Sequence, residues 1–570
     1  MTREEEIIEI LKELTEIKSI SDTEAECRAQ EYMEKRLKGQ DYFKEKLNES
    51  DRTASGKKFP LTGSFALQED YLKRKAVYGL VKGNGRKTLI LTGHYDVVGV
   101  EEFGNMKEEA FSVDNLMEKI KDCGRENGFG EDVLREAESG EWIFGRGTAD
   151  MKGGLAIGLA ILNEYGKKAL KEKTEGNLLF LSVPDEESYS SGMRGAIPLL
   201  EALREKYDLD YECLIDLEPN FLVDGAQEVF VGSVGKCMPV VLVQGAKAHV
   251  GSCFQGLSAA GVLGEIFART ELSPEFAESY EGEVCMPPTW LQLRDMKEEY
   301  DVSVPYRAGG YFNMLSFSMT PEEVIGKLEK KAKEAVSFYQ DKMERLWKKL
   351  MEKKDSDISV PAGAFVPVQI MKYGELVTVC RNKNEREFEK FYHGLYGKTA
   401  EKIRSGQWNY PQATMEMMKA LLDYSGILSP IILLGFAPPY YPAFHSDMLG
   451  KGTTISSKWF ELLEKSAEES FGRLLKKKHY FTGISDLSYC GICEENSSSK
   501  TLDFYGANAP LWGNLYKIDF EKIAGLNIPS LLFGPLSKDI HQRTERVNKE
   551  SITREVPEIL SNLIEQMFAK

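Results

Sequence analysis

The sequence predicts an α/β protein in which helices flank a mixed, mostly parallel sheet, with a smaller α+β domain inserted into the chain. Three observations lead to this fold class. Short apolar runs alternate with helical patterns over about the first 230 residues, which is typical of a layered α/β domain. At 570 residues the chain is too long for one hydrophobic core. From about Gly235 the order of strands and helices changes, which indicates the second domain.

The predicted elements of the first region follow one another as strand, helix, strand, helix and strand. They are "KTLILTGH" (87–94), "MKGGLAIGLAILNEYGKKAL" (151–170), "NLLFLSVPDEE" (177–187), "AIPLLEALREKY" (196–207) and "YECLIDLEP" (211–219). Residues 101–141 interrupt this order with a charged, acidic segment, which predicts a long loop or a small helical insertion. Such an alternation predicts parallel strands whose carboxyl ends meet at one edge of the sheet.

The second region begins with a strand, a helix and another strand. These are "KCMPVVLVQGAKAH" (236–249), "GLSAAGVLGEIFART" (256–270) and "GGYFNMLSFSM" (309–319). A long charged helix follows, with Thr320 as its N-cap and Pro321 at its first position. "SDISVPAGAFVPV" (356–368) predicts a further strand, after which an α/β pattern resumes. We therefore expect residues 1–235 and 375–570 to form one discontinuous domain, and residues 236–374 to form the inserted one.

Composition excludes several classes of partner. The formal net charge is −17 and no Lys/Arg-rich block stands out, which argues against nucleic acid and anionic membranes. No apolar run approaches the length of a membrane span, and "MTREEEIIEILKELTEI" predicts an acidic amphipathic helix instead of a signal segment. Nine cysteines at irregular spacing favour reduced thiols in a cytoplasmic protein. The C-x-x-C of Cys490 and Cys493 has no second pair, so ordinary thiols are expected there.

Side chains that can bind metal ions recur in the turns that follow the predicted strands. They are His94 with Asp96, Asp150 in "GRGTADMKGG", Glu186 with Glu187 in "VPDEES", Glu218 in "IDLEP", and His541 in "FGPLSKDIHQRTE". Imidazole and carboxylate suit zinc, cobalt and manganese. Two histidines with three or four carboxylates exceed the needs of one ion. They suit two ions about 3.5–4 Å apart that share a carboxylate.

Each of these residues also has an ordinary structural interpretation. Asp150 alone could be the N-cap of the following helix, and a Glu-Glu doublet is usually a solvated turn. His94 and Asp96 share one face of a strand, so they are either a chance pair in a turn or a metal ligand with the carboxylate that orients it. The ordinary interpretations require five independent coincidences at strand ends of one domain, which favours a metal site.

The ordered motifs resemble one known family. "GHYDVV", "GRGTADMKGG", "PDEE", "EP" and "GP…IHQRTERV" are similar to those of the M20 metallopeptidases and N-acyl amino-acid amidohydrolases, over nearly the whole chain. "GAKAHVG" resembles the histidine motif of that family's dimerisation domain, and "FTGISDLSYCG" its late Gly-x-x-Asp turn. The length and "DLEPN" are most similar to the RocB-type arginine-utilisation proteins, a subgroup associated with bacterial arginine catabolism.

The resemblance implies two divalent ions per chain, zinc first, with cobalt or manganese as alternatives. One ion would be bound by His94, Asp150 and Glu218. The other would be bound by Asp150, Glu187 and His541, so that Asp150 bridges. Asp96 would orient the His94 ring, and the peptide bond between Asp150 and Met151 would be cis.

The resemblance also implies roles in catalysis. Glu186 would be the general base, and His249 would donate a hydrogen bond to the oxyanion, in family dimers across the subunit interface. Arg307 and Asn313 in "YRAGGYFN" would contact the substrate. The predicted function is hydrolysis of a peptide or N-acyl amide bond of a small substrate, with a homodimer formed through the inserted domain.

Two alternatives remain open at this stage. The first is a deacylase of N-acyl amino acids instead of a peptidase. The second is a non-catalytic regulatory protein that keeps the fold. Two departures from the family are the long gap between His94 and Asp150 and residues 375–430, which match no family element.

Overall fold

A computed structural model of the protein describes residues 1–50, 60–68, 70–352, 366–449, 455–493 and 499–569. The chain divides into two compact units. The first unit comprises Met1–Ser233, Phe444–Glu494 and Ile518–Lys570. The second unit comprises Val234–Ala443 and Glu495–Lys517. The predicted change of character near Gly235 thus coincides with the start of the second unit.

A nine-stranded sheet forms the centre of the first unit. In sheet order its strands are Thr62–Ala66, Lys75–Val81, Asn177–Val183, Lys87–His94, Asp210–Asp216, Ser530–Leu532, Ala226–Phe230 and Leu475–Lys478, with Leu222–Val223 paired to the seventh. The four central strands, third to sixth, run parallel. They are almost entirely buried, as expected for parallel strands covered on both faces. The predicted mixed, mostly parallel central sheet is confirmed.

Helices surround this sheet. The α-helices of the first unit are Arg3–Glu16, Ala25–Gly39, Asp41–Ser50, Val113–Cys123, Glu131–Ser139, Lys152–Lys171, Ser191–Tyr207, Ile455–Phe471, Phe520–Leu526 and Val556–Phe568. The first of them begins with a capping box between Thr2 and Glu5. None of the helices in the described ranges combines the length and apolar character that a transmembrane span requires.

Residues 101–141 form a small helical insertion, which is one of the two alternatives that the sequence predicts for this segment. Its two α-helices, Val113–Cys123 and Glu131–Ser139, enclose a separate hydrophobic cluster that includes Phe103 and Phe129. The chain leaves the insertion through the strand Trp142–Phe144. This strand joins Arg546–Asn548 and Ser537–Lys538 in a three-stranded antiparallel sheet.

The second unit contains a five-stranded sheet. In sheet order its strands are Thr289–Asp295, Arg307–Ser316, Gly235–Gln244, Ile431–Tyr441 and Gln369–Lys372. Its α-helices are Ala259–Thr270, Pro321–Met351, Tyr373–Lys383, Glu385–Arg404, Tyr410–Ser425 and Ser499–Asn508. The Thr320 N-cap is present, with its side chain accepting from the main-chain N–H of Glu323. Most of the strand expected at 356–368 lies outside the described residues.

The second compact unit extends beyond residue 374, where the sequence predicts the end of the inserted domain. Residues 375–443 and 495–517 belong to the second unit. The cause is the buried strand Ile431–Tyr441, which pairs antiparallel with Gly235–Gln244. Helices that precede it contribute Leu376 and Leu421 to the same hydrophobic cluster as Leu242. This pairing joins segments about 190 residues apart, so no local pattern reveals it.

Candidate metal centre

The carboxyl ends of three parallel strands and two neighbouring turns bring the predicted side chains of the first unit together. His94 ends its strand, while the Glu186–Glu187 doublet and Glu218 follow the two strands that flank it in the sheet. Asp150 lies two residues before the helix Lys152–Lys171. His541 lies on the turn that joins two short antiparallel strands. The prediction that these residues converge agrees with the structure.

Asp150 lies between the two histidines. Its Oδ1 is 3.1 Å from Nε2 of His94, and its Oδ2 is 3.1 Å from Nε2 of His541. One carboxylate therefore presents a separate oxygen to each imidazole. The peptide bond between Asp150 and Met151 is cis, as the resemblance implied.

Further carboxylates surround each imidazole. Oε1 of Glu218 is 3.4 Å and Oε2 of Glu186 is 3.8 Å from Nε2 of His94. Oε2 of Glu187 is 3.1 Å from Nε2 of His541. Two sets of three donors lie close enough to share an ion, with all ligand atoms within 4.8 Å of one another: His94 with Glu186 and Glu218, and His94 with Asp150 and Glu187.

Asp96 contacts both the His94 ring and the glutamate doublet. Nδ1 of His94 is 2.9 Å from the main-chain oxygen of Asp96 and 3.5 Å from its carboxylate. The carboxylate of Asp96 accepts hydrogen bonds from the main-chain N–H groups of Glu186 and Glu187, at 3.1 and 3.2 Å. It also accepts from the hydroxyl of Ser21 at 2.7 Å. Asp96 therefore contacts the turn of the glutamate doublet as well as the His94 ring that it is predicted to orient.

This geometry requires positive charge between the imidazoles and the carboxylates. Because Nδ1 of His94 donates to Asp96, a neutral ring would present the lone pair of Nε2 to carboxylate oxygens. Either a proton or a cation must lie between them. Burial lowers the pKa of His94, but the charge of Glu218 and hydrogen bonds to Asp150 raise it well above its ordinary value. Hydrogen bonds to Asp150 and Glu187 raise the pKa of His541 to about 11.

The carboxylates differ in their pKa. Burial raises the pKa of Asp150, yet hydrogen bonds from His541 and His94 outweigh burial and hold the pKa below its ordinary value. Burial raises the pKa of Glu218 to about 8 and that of Glu186 well above its usual range. Within the described part of the chain, Oε1 of Glu186 is buried and has no hydrogen-bond partner. Imidazoles and crowded, incompletely paired carboxylates form a donor set that fits divalent cations.

Sequence patterns did not reveal the role of Glu545. This residue is 1% exposed, and its Oε1 accepts from the main-chain N–H groups of Gly147, Ala149 and Asp150 at 2.7, 3.2 and 3.2 Å. Its other oxygen pairs with the buried guanidinium of Arg146. Glu545 therefore holds the turn that carries Asp150. The sequence feature that could have indicated this role is the position of Glu545 in "HQRTERV", four residues after His541.

A second buried ion cluster supports the glutamate doublet. The guanidinium of Arg74 lies 2.8 Å from Glu26, 2.7 Å from Asp70 and 3.1 Å from Asp185. Asp185 directly precedes the doublet, and its main-chain N–H donates to Glu26 at 3.1 Å. Because all four side chains are almost completely buried, the turn before Glu186 has little freedom to move. Arg74 and Glu26 carried no recognisable signal in the sequence.

Three of the predicted residues belong to the second unit. His249 is exposed, and its Nδ1 accepts from the main-chain N–H of Gly251 at 3.1 Å. The guanidinium of Arg307 donates to Gln244 at 2.7 Å and pairs with Asp423 at 2.6 Å. Asn313 lies on the same strand as Arg307. Arg307 therefore already has two polar partners within its own unit.

A mixed α/β unit with imidazoles and carboxylates at its strand ends is the architecture of a protein with a metal site at the edge of its sheet. Residues 90–516 match the sequence profile of peptidase family M20/M25/M40. The chain belongs to this family. M20 proteins are metal-dependent hydrolases, typically with two metal ions.

Curated relatives extend this match over the whole chain. Uncharacterized protein YqjN of Bacillus subtilis (strain 168) is 31% identical over 569 residues, 99% of this chain and 96% of that protein. Protein RocB of the same organism is 30% identical over 493 residues, 85% of this chain and 83% of RocB. A succinyl-diaminopimelate desuccinylase of Buchnera aphidicola subsp. Acyrthosiphon pisum (strain Tuc7) is 28% identical over 169 residues, 30% of this chain and 37% of the enzyme. The resemblance to the M20 family and to RocB is confirmed.

Proposed function

We propose that this protein is a di-metal amidohydrolase that cleaves a peptide or N-acyl amide bond of a small substrate. The observation that carries the proposal is the position of Asp150, with one carboxylate oxygen 3.1 Å from each of two histidines. A carboxylate placed in this way suits a bridging ligand between two ions. Its turn is held in place by Glu545, which reduces the freedom of the bridge.

The proposed ligands form two sets that share Asp150. His94 and Glu218 complete the first set, and Glu187 and His541 complete the second. The donor types favour zinc, with cobalt or manganese as alternatives. Divalent cations bound there would polarise the scissile carbonyl and lower the pKa of a water molecule.

Glu186 is the proposed general base. It would accept a proton from the attacking water and then donate it to the leaving nitrogen. Burial and the unpaired Oε1 support this role, because they leave the carboxylate free to take up a proton. Glu186 also lies in one of the two donor sets that could bind an ion. Its roles as base and as ligand are therefore distinguished by whether a Glu186→Gln variant keeps its metal.

The second unit has proposed roles as a lid or dimerisation domain. His249 would donate a hydrogen bond to the oxyanion, and Arg307 and Asn313 would contact the substrate. The exposure of His249 supports its availability, with Nδ1 accepting from the backbone and Nε2 left to donate. Arg307 would exchange its ion pair with Asp423 for a substrate carboxylate. A homodimer through this unit and a cytoplasmic location complete the proposal.

A deacylase of N-acyl amino acids is the second candidate function. The 169-residue match to a succinyl-diaminopimelate desuccinylase favours it. A substrate from arginine catabolism, which the resemblance to RocB-type proteins implied, is part of the same proposal. A non-catalytic protein is the third alternative, and the presence of the complete ligand set together with Glu186 argues against it.

One screen tests these candidates. Metal-free protein is supplied with zinc, cobalt or manganese and assayed against dipeptides, N-acetyl and N-succinyl amino acids, with arginine and neutral side chains in each series. Amine release is the readout, and an Asp150→Asn variant is the control for metal-dependent turnover. Release from dipeptides alone supports a peptidase, and release from N-acyl amino acids alone supports a deacylase. Two bound ions without turnover on any compound would favour the non-catalytic alternative.

A further inference from the structure

We propose that the helical insertion 101–141 positions His541, and that Glu136 is the residue through which it acts. The inference rests on the proposed function only in making His541 a metal ligand. The insertion accounts for the long gap between His94 and Asp150 that departs from the family pattern. Its contacts with the segment that carries His541 are the basis for the positioning role that we propose.

His541 contacts Asp150 and Glu187 at its Nε2, but core packing gives its backbone and ring little support. It lies on the turn between the strands Ser537–Lys538 and Arg546–Asn548, which we call the His541 hairpin. Its side chain is 47% exposed, so core packing restrains it weakly. Its φ is +62°, in the left-handed region that non-glycine residues seldom adopt. Apart from those two contacts, the position of the imidazole depends on how firmly the base of the hairpin is held.

The base of the hairpin contains two like charges opposite each other. Lys538 and Arg546 are cross-strand partners in the antiparallel pair. Like charges directly opposite on neighbouring strands are destabilising, since their side chains lie close together. The side chain of Arg546 is only 3% exposed and that of Lys538 is 45% exposed, so water screens the repulsion from the Lys538 side alone. Without a negative charge nearby, the repulsion between Lys538 and Arg546 favours separation of the two strands.

Glu136 forms an ion pair with each of the two cations. Its Oε1 lies 2.6 Å from Nζ of Lys538, and its Oε2 lies 2.6 Å from Nε of Arg546. One carboxylate of the insertion thus contacts one cation on each strand of the hairpin. Because it attracts both cations at once, it holds the strands together at the base.

Arg546 carries this restraint to the turn. Its Nη1 pairs with the carboxylate of Asp539 and donates to the main-chain oxygen of Thr544, the latter at 2.8 Å. Asp539 also accepts from the hydroxyl of Thr544 at 2.8 Å. Asp539 and Thr544 flank His541 on the two sides of the turn. A continuous series of contacts therefore runs from Glu136 through Arg546 to the residues around His541.

Aromatic side chains add to the contact. Trp142, at the end of the insertion, lies under Nζ of Lys538 at 4.6 Å from the ring centroid. Arg543, on the turn itself, lies over the ring of Phe129 in the insertion at 4.7 Å. These contacts place the insertion against both the base and the turn of the hairpin. They keep Glu136 close to its two partners.

The test uses Glu136→Gln, which keeps the size of the side chain and removes its charge. The matched control is Glu138→Gln, the same change at an exposed position of the same helix. Hydrogen–deuterium exchange is measured first on metal-free protein, in peptides covering 537–548 and, for comparison, 177–187. Metal binding is then measured by calorimetric titration with zinc or manganese.

We expect faster exchange in 537–548 for Glu136→Gln alone, with 177–187 unchanged. We also expect the affinity for one of two ions to fall, by less than the about 10–100-fold typical of removing a group that contacts a metal ligand directly. Adding Lys538→Gln to Glu136→Gln should slow the exchange again, because it removes one of the two repelling charges. A purely structural loss would not show this recovery.

Exchange equal in the Glu136→Gln and Glu138→Gln variants would overturn the inference. So would acceleration throughout the first unit with no recovery on adding Lys538→Gln. If wild-type protein binds fewer than two ions, the two-ion function fails, yet the exchange comparison still decides whether Glu136 restrains the hairpin.

Discussion

Replacing Glu545 by alanine should destabilise the first unit and lower its affinity for both of the proposed metal ions. The change removes an oxygen that accepts from three main-chain N–H groups around Asp150, at 2.7, 3.2 and 3.2 Å. It also removes one partner of the buried Arg146 guanidinium, which keeps its contacts with Glu102, the main-chain oxygen of Gly99 and the ring of Phe103.

The magnitude follows from these contacts. Each buried donor left without a partner costs about 1–3 kcal/mol, so three of them set an upper range of about 3–9 kcal/mol. Water entering the space vacated by the side chain would satisfy some of these donors, and Arg146 keeps Glu102. We therefore expect the free energy of unfolding to fall by about 3–5 kcal/mol, the cost typical of breaking a buried ion pair.

Urea denaturation of the metal-free protein measures this change. The matched control is Glu550→Ala, which removes an exposed glutamate in a 3.6 Å pair with Arg554 and should change the free energy of unfolding by no more than about 0.5 kcal/mol. Metal titration of the folded variant should show both ions weakened, because Asp150 is proposed to bind both. A free energy of unfolding within 0.5 kcal/mol of wild type would refute the structural role that we assign to the three hydrogen bonds. Normal affinity for both ions in a destabilised variant would refute the link from Glu545 to Asp150.

Three further outcomes are expected. Glu186→Gln should lower turnover about a hundredfold or more while both ions stay bound, as measured by kinetics and metal analysis; loss of an ion would make Glu186 a ligand. Zinc or manganese at 100 times its dissociation constant should raise the free energy of unfolding by about 2.7 kcal/mol for each ion bound, and a chelator should reverse the effect; no change would contradict a site formed in the folded state. Iodoacetamide at pH 8 should label the exposed Cys253 before Cys237, because burial raises the pKa of the Cys237 thiol to about 12. Mass spectrometry of peptides measures the order of labelling, and the opposite order would contradict this expectation.

Local sequence patterns were sufficient for the central sheet and for the residues that gather at its edge. Apolar runs such as "KTLILTGH" and "NLLFLSVPDEE" became parallel central strands. The convergence of His94, Glu187 and Glu218 followed because parallel strands end at the same edge of a sheet. Helix signals of short range, such as the Thr320 cap, were equally readable.

The boundary of the second unit and the residues that hold the site depended on tertiary structure. Ile431–Tyr441 reads as an ordinary buried strand, and only its pairing with Gly235–Gln244 places it in the second unit. Glu545 and Glu136 read as two of many surface acids in a chain with 90 acidic residues. Their roles come from partners about 400 residues away along the chain. Secondary structure follows from the period of apolar residues, which is a local property of the sequence. The partner of a charged side chain depends instead on the fold, because the folded chain decides which distant backbone group or cation lies within about 3 Å of it.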